Sequence, residues 1–545
     1  MAKSNRKHRE LMRFPFRGVD ASVVAAAVQD GAAPYILNVF PRAQDGGASD
    51  PTRGQYCGAA RPGLANINTV VLSGNTFNVV GMYLWETRFT TGATTSLLIA
   101  MTDDSTALNR LQSAVIGSGI SNAAQITNAA SSAVTLFPTF APLGNRLYYV
   151  GTTHASRSYL QTTALNFPEW FLWSATSGAL LPDFDLCCTY QARIVTAKTG
   201  DSLFRISAVG NGQNMDSSPT TPSAAYDGNA TGQAGIPGDI ITALIPFGDD
   251  YMFFGAASSV HRLVGNPRFG GSVKPITTKV GVLWRNGWCF DPYGNMWFVG
   301  SDYGLYVVAK GSDSFKEVLR GRVDPWMSGQ LRDRTKVPVL AYDTQNKMVL
   351  VMIVPKTIAA GTAPAAAVHV AYNPDLDAPF LFQFTQNTPP YSVVAFDDGR
   401  VLFGGRAGYT GWIPGTATVQ DRDQVAAASA NYSCIIKWPI IDIDGGMTEW
   451  MAQELQAIGT SGTGAASWYL LSGQSADQVA LVDYATGSVA SGTVFATAAG
   501  FQQPVGIRQT AAAHQLVIAQ TANADLRLDQ FTLDFEAQSR RRIGS

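Results

Sequence analysis

The chain has 545 residues, too many for one ordinary core, so it implies two or three domains or one large closed β architecture. Charged residues make up only 14%, against roughly 25% in an average soluble domain, and the net charge of −1 excludes a global field that would draw the chain to nucleic acid or membrane. With 46% apolar residues and 53 glycines, the composition suits short strands joined by tight turns, and a surface largely covered by neighbours.

The chain opens on a basic arm, residues 1–18. Lys3, Arg6, Lys7, Arg9, Arg13 and Arg17 stand there against Glu10. Arg540, Arg541 and Arg542 form a second cationic run near the other end. Such runs are solvated tails, or arms that dock on an acidic partner or on nucleic acid. No apolar segment follows the first run, so no signal peptide is expected. No stretch approaches the roughly 18 apolar residues of a membrane span. Residues 19–64 read as a lead-in, with a short Ala-rich helix predicted over Asp20 to Gln29.

From residue 65 to about 430 the sequence repeats itself. Four segments share a turn, a short apolar run and a closing glycine: Gly144 to Gly151, Gly248 to Gly255, Gly294 to Gly300 and Gly399 to Gly405. The closing glycines are 104, 45 and 105 residues apart, so the long gaps hold degenerate copies. Arg193 to Ala197 with Leu203 to Ile206, and Lys347 to Val354, supply them, and Ser96 to Met101 is a further candidate copy ahead of the first. Phe290-Asp291-Pro292-Tyr293-Gly294 carries the residues of a type I turn. Six or seven units of roughly 45–55 residues, each forming a three- or four-stranded sheet, are the pattern of a β-propeller. The competing arrangement is a series of β-sandwiches. Trp284, Trp288, Trp297, Trp326 and Trp412 are expected to fill wedges between blades. A short helix is predicted over Asp324 to Gln330. Asn211 to Gly235 and Thr357 to Ala367 read as exposed loops.

Residues 431–545 read as a further β domain, sandwich-like or partly closing the propeller. Leu526, Leu528, Phe531, Leu533 and Phe535 form its clearest alternating run.

Chemical signatures are sparse. The chain lacks a P-loop, an HExxH helix and a GxSxG elbow. His8, His154, His261, His369 and His514 are scattered singly and read as structural residues. Asp183/Asp185, Asp375/Asp377, Asp421/Asp423 and Asp442/Asp444 are Asp-x-Asp pairs beside turns, where carboxylates cap backbone amides. Cys57, Cys187, Cys188, Cys289 and Cys434 form neither a zinc pattern nor a disulfide framework, and read as reduced, buried thiols. No catalytic residue, cofactor or metal site is assigned.

Two groups of motifs carry a family likeness. The first is Arg17-Gly18-Val19-Asp20, Pro34 to Pro41 with Asn38 at its centre, Gly54-Gln55 and Arg61-Pro62-Gly63-Leu64. The second is Ile245 to Phe254, Ser258 to Leu263, Lys279 to Val282 and Gly304-Leu305-Tyr306. Over residues 15 to 415 the chain resembles the tail nozzle, or tail tubular, propeller proteins of short-tailed bacteriophages. The resemblance implies a non-enzymatic virion protein of the phage tail, made in the host cytoplasm. It implies an oligomeric ring, usually a hexamer, that extends the DNA-exit channel below the adaptor or connector proteins. Tail fibres or a plug, and transiently the exiting DNA, are further implied partners. The basic residues at both ends are the docking candidates. Two other readings are a receptor-binding propeller, marked by an exposed aromatic cluster on one face, and a propeller hydrolase, marked by carboxylates converging in the channel.

Overall fold

A computed structural model describes residues 7–21, 27–43, 56–66, 79–88, 94–102, 111–116, 120–125, 137–151, 158–162, 168–229, 234–357, 367–384, 390–396, 399–405, 408–412, 420–422, 429–443, 448–461, 466–494, 504–521 and 526–538. It is a seven-bladed β-propeller joined to a β-sandwich. Six four-stranded sheets, together with the first four strands of a nine-stranded sheet, form the blades. In chain order they occupy residues 79–125, 139–172, 186–228, 241–277, 288–317, 336–383 and 392–412. The seventh blade has only three strands of its own. Its outermost strand is Ala65–Asn66, which pairs with Thr410 and Gly411 and so closes the ring with a segment from before the first blade.

The repeat legible in the sequence is the second strand of every blade. Arg146–Val150, Tyr251–Ala256, Met296–Val299 and Val401–Gly405 are the four clear copies, and Thr94–Thr102, Arg193–Ala197 and Met348–Pro355 the degenerate ones. This strand is buried on both faces between neighbouring blades, which is why it is a continuous apolar run rather than an alternating one. Separate apolar clusters fill the wedges. Trp85, Ile99 and Tyr149 join blades one and two, Tyr148, Trp173 and Ile194 blades two and three, and Phe204, Leu244 and Phe254 blades three and four. Ile245, Phe253 and Phe298 join blades four and five, and Val79, Leu98 and Leu402 blades seven and one. The closing glycine has a packing cause: a Cβ at Gly255 would lie 2.6 Å from the Val282 side chain in the link to blade five. We expect Gly255→Val to lower stability by about 2–3 kcal/mol through overpacking, read as a shift in the urea midpoint; an unchanged midpoint would contradict the packing account.

The sandwich is built from both ends of the chain. One sheet continues blade six outward through Tyr35–Leu37, Ser433–Lys437, Ala513–Thr521, Ala466–Gly473 and Ala490–Val494. The facing sheet contains Val39–Ala43, Tyr56–Ala60, Leu526–Gln538, Glu449–Ser461 and Val505–Ala511, with Lys7–Arg13 alongside Leu526–Gln538. Leu526, Leu528, Phe531, Leu533 and Phe535 all face the core. The step from 528 to 531 breaks strict alternation because a register shift falls between Ile458 and Gly459 of the partner strand.

The structure differs from the sequence-based layout at the chain's start and in one loop. Lys7–Arg13 is a sheet strand, not a tail, and residues 35–60 add strands to the sandwich before the chain enters the propeller. The helix expected at Asp324 to Gln330 is Asp324–Leu331. The one expected over Asp20 to Gln29 rests on residues 22–26, outside the described residues. The Asn211 to Gly235 stretch is not a free loop. Arg193 donates to the carbonyls of Ser207 and Ala224, and Arg268 to those of Ala225 and Pro219, leaving an exposed tip at residues 218–223. Most of the second loop, 358–366, lies outside the described residues.

The propeller and sandwich meet at Asn38 and Arg61, two residues of the motifs near the chain's start. Asn38 sits at φ 58°, a left-handed conformation that Asn tolerates well. Its Oδ1 accepts from Gln383 N at 2.8 Å and from Arg61 Nε at 3.0 Å, and its Nδ2 donates to Ser433 O at 2.8 Å. Arg61 is fully buried. It also donates to Pro62 O at 2.7 Å and Gln383 O at 2.9 Å, and stacks 4.0 Å from the Tyr432 ring centroid. Gly18, in the same group of motifs, has φ 76°, and a Cβ there would lie 2.1 Å from Pro379 O of blade six.

Candidate functional site

The first strand of each blade lines the propeller axis and encloses a cavity of about 1000 Å³. Half-buried Tyr83, Phe140, Trp288 and Phe290 stand in its wall beside the more deeply buried Tyr342 and Phe396. Most polar groups in the wall are already engaged. Thr189 donates to Pro142 O at 2.6 Å, Ser392 to Val79 O at 2.9 Å, and the Trp288 indole to Arg285 O at 2.8 Å. Asp291 accepts from Tyr293 N, Asn295 and the Trp297 indole, as the first residue of its turn should.

One buried ion pair stands at the end of the channel where the first strands begin. Arg285 Nη2 is 2.6 Å from Asp185 Oδ2, Nη1 donates to Asp185 O at 2.7 Å, and Thr199 N donates to Asp185 Oδ1 at 2.6 Å. Asp185 opens blade three and Arg285 precedes blade five, so the pair braces the channel across the start of blade four. Burial pushes the Cys187 thiol, also in the wall, up to about 12, and Cys188 and Cys289 upward as well, so all three stay protonated and unreactive.

The other sequence candidates separate into structural roles. Asp375 pairs with Lys347 at 3.2 Å, while Asp377 accepts from Tyr372 and Arg322. Asp423 and Asp444 lie outside the described residues. Asp239, Ser259 and His261 form a chain of contacts, but the order is wrong for a nucleophile. Ser259 Oγ bonds Asp239 at 2.9 Å and His261 Nε2 at 3.0 Å; its single proton goes to the carboxylate, which leaves the imidazole to donate. His514 bridges Ser472 Oγ and Trp450 O, and His8 pairs with Glu10; His154 is outside the described residues. Among the described residues no group of three or more His, Cys, Asp or Glu is placed to hold a metal ion. Trp297 is buried, Trp284 and Trp326 pack against the largest core cluster, and the Trp412 side chain lies outside the described residues.

His369 is buried and accepts from Ile353 N at 3.0 Å. Desolvation, reinforced by the charges of Arg61 and Lys336, brings its pKa down to about 3. The unfolded chain takes up this proton below about 6.5 and the folded chain does not, so stability is complete above 6.5 and falls as pH drops toward 3. Between pH 7.5 and 4.5 we expect a loss of about 2–3 kcal/mol from this ring. His369→Gln, which keeps an acceptor for Ile353, should flatten the urea midpoint against pH; an equally steep profile would remove His369 as the cause.

Of the basic candidates, Lys7, Arg9, Arg13 and Arg17 are all exposed. Arg9 is paired with Asp534 through bonds of 2.7 and 2.8 Å, which holds that carboxyl below its usual range, and Lys7 lies opposite Glu536. The exposed face therefore carries both signs. Lys3, Arg6, Arg540, Arg541 and Arg542 lie outside the described residues. The sequence signal missed two sites that the structure assembles, the channel wall and the Asp185–Arg285 brace. A charged residue beside Trp284 was the only local hint of the latter.

No protein-family model and no curated protein matches the chain. Solved structures do. A YCF48 structure bound to a D1 peptide is 12% identical with a TM-score of 0.36, over 66% of this chain and 96% of its own. The WD40 β-propeller domain of Doa1 is 8% identical with a TM-score of 0.38, over 64% and 96%. The WD40 domain of Toxoplasma gondii coronin is 12% identical with a TM-score of 0.33, over 65% and 91%. These are likenesses of fold at low identity. The propeller is defined by its own strand pairing.

Proposed function

We propose that this chain is a structural component of a bacteriophage virion, a tail nozzle protein that assembles into a ring around the DNA-exit path. The observation that carries the reading is the placement of its family-like motifs. Asn38 and Arg61 serve the joint between propeller and sandwich and Gly18 packs against Pro379 of blade six, so the resemblance falls on what defines the architecture rather than on a surface common to all propellers. The low charge of the chain supports burial among neighbouring subunits. In the channel wall Asp291 is engaged by its own turn and the Cys187 thiol stays protonated, which supports a structural over a hydrolytic reading. By this reading the partners are further copies of the chain, adaptor or connector proteins, and transiently DNA, and the site of action is the virion tail.

Light scattering on the purified chain, alone and with tail particles from its source, tests the proposal. A ring of about six copies, free or formed on the particle, is the expected result. A monomer or trimer that ignores the particle and binds or cleaves glycans overturns it. The same reading predicts that Lys7, Arg13 and Arg17 help attach the ring. Deleting Lys7–Arg13 would remove the partner of Leu526–Gln538, so substitution is the informative change. The Lys7→Gln, Arg13→Gln, Arg17→Gln triple variant should bind tail particles at least about tenfold more weakly at low salt, with a melting temperature little changed. Equal binding would exclude these cations from docking.

A further inference from the structure

We propose that neighbouring copies of the chain meet head to tail through two charged patches at opposite ends of the propeller: Arg332, Arg334 and Lys356 of one copy dock on the Asp249-Asp250 turn of the next. The proposal rests on the ring reading above and names its contact. The basic patch is assembled from two segments. The helix Asp324–Leu331 ends on Arg332, residues 333–335 lead into the first strand of blade six, and Lys356 follows its second strand. Lys356 N donates to Thr335 O at 2.8 Å, which sets the two segments side by side. Arg332, Arg334 and Lys356 are exposed, and none has an ion-pair partner among the described residues. Lys336, half-buried beside them, is turned to Gln330. Asp333, the carboxylate among them, is engaged by Thr335, whose N donates at 2.9 Å and Oγ1 at 2.8 Å. Arg334 sits at φ 59°, where glycine carries no penalty, so its side chain is displayed at a backbone cost.

The acidic patch is the turn between the first and second strands of blade four. Asp249 and Asp250 are adjacent and exposed, and neither has an ion-pair partner among the described residues. Lys310, from the next blade, stands over the Phe247 ring instead. Two like charges side by side repel, and a cationic surface relieves them. First strands run the same way along the axis in every blade, so a turn after a first strand and a link before one lie at opposite ends. Unlike patches on opposite ends make a heterologous contact, the kind that repeats from copy to copy and closes into a ring where the rotation allows it. Two guanidinium forks against two carboxylates give that contact direction. Nucleic acid satisfies the basic patch alone; a second copy of the chain satisfies both.

Sedimentation velocity of charge-reversed chains tests the contact. Asp249→Lys with Asp250→Lys, and separately Arg332→Glu with Arg334→Glu and Lys356→Glu, should each raise the concentration needed for ring formation at least about tenfold at low salt, with a melting temperature little changed. An equimolar mixture of the two variants should recover the ring, because each reversed patch again faces its opposite. A misfolded variant is not rescued by mixing, so recovery identifies the contact. Variants that assemble like the parent, or a mixture that stays monomeric while both variants melt like the parent, overturn the contact and leave the ring reading standing. A basic-patch variant that loses duplex DNA binding but assembles normally assigns that patch to nucleic acid and overturns the contact. A parent chain that forms no ring, free or on tail particles, overturns the ring reading and this contact with it.

Discussion

Replacing Arg61 by alanine is expected to destabilise the protein by about 4 kcal/mol or more, among the largest effects of any single substitution in the chain. The side chain is fully buried and serves three acceptors in three segments: Asn38 Oδ1, Pro62 O and Gln383 O. Hydrogen bonds to a charged donor are worth about 1.5–3 kcal/mol each when one partner is lost, and alanine also opens a void beside Phe384 and Tyr432. Arg61→Lys should recover little, since a single ammonium cannot reach the three acceptors that the guanidinium fork spans. The readout separates a joint defect from a general one. Limited proteolysis should cut residues 429–433 early in Arg61→Ala, while the wedges between blades one to five stay protected. Uniform loss of protection, or none, would contradict the placement of Arg61 at the joint.

Much of the propeller was legible in the sequence because one strand per blade is shaped by local rules. The second strand follows a tight turn, is buried on both faces and ends where a neighbouring link passes close, so Gly248 to Gly255 shows a turn residue, an apolar run and a glycine that admits no Cβ. The outer strands, half exposed and less regular, leave a fainter pattern: Phe269–Thr277 alternates poorly and contains two glycines. The sandwich was only partly legible. Leu526–Gln538 announces itself by alternation, but its pairing with Lys7–Arg13 joins residues more than 500 apart, and nothing in the arm says which strand it will meet. Six cations against one carboxylate suggested a tail; in the fold, Asp534 and Glu536 supply the missing negative charge from the neighbouring strand. Ring closure by Ala65–Asn66 is hidden for the same reason, since two residues carry no periodicity.

The Asp185–Arg285 brace shows the limit more sharply, because neither residue has a distinctive local context and 100 residues separate them. Both are buried, and a buried pair is worth little in itself while its halves are costly to leave alone. Arg285→Met should therefore destabilise by about 3–5 kcal/mol, leaving the Asp185 carboxylate with only Thr199 N and no cation, and Asp185→Leu by a similar amount. The double variant, with both charges replaced by apolar groups, should regain most of the loss, a coupling of about 2 kcal/mol or more in a double-mutant cycle. The measurement is the urea midpoint of all four proteins at one pH above 6.5, where His369 contributes no slope. Additive losses would mean that the two groups act through separate neighbours, Thr199 for the carboxylate and Trp288 for the arginine backbone, and that blades three and five are held only by blade four between them. Coupled losses would make the brace an element that fixes the channel's width, since it joins two blades that are not neighbours in the ring.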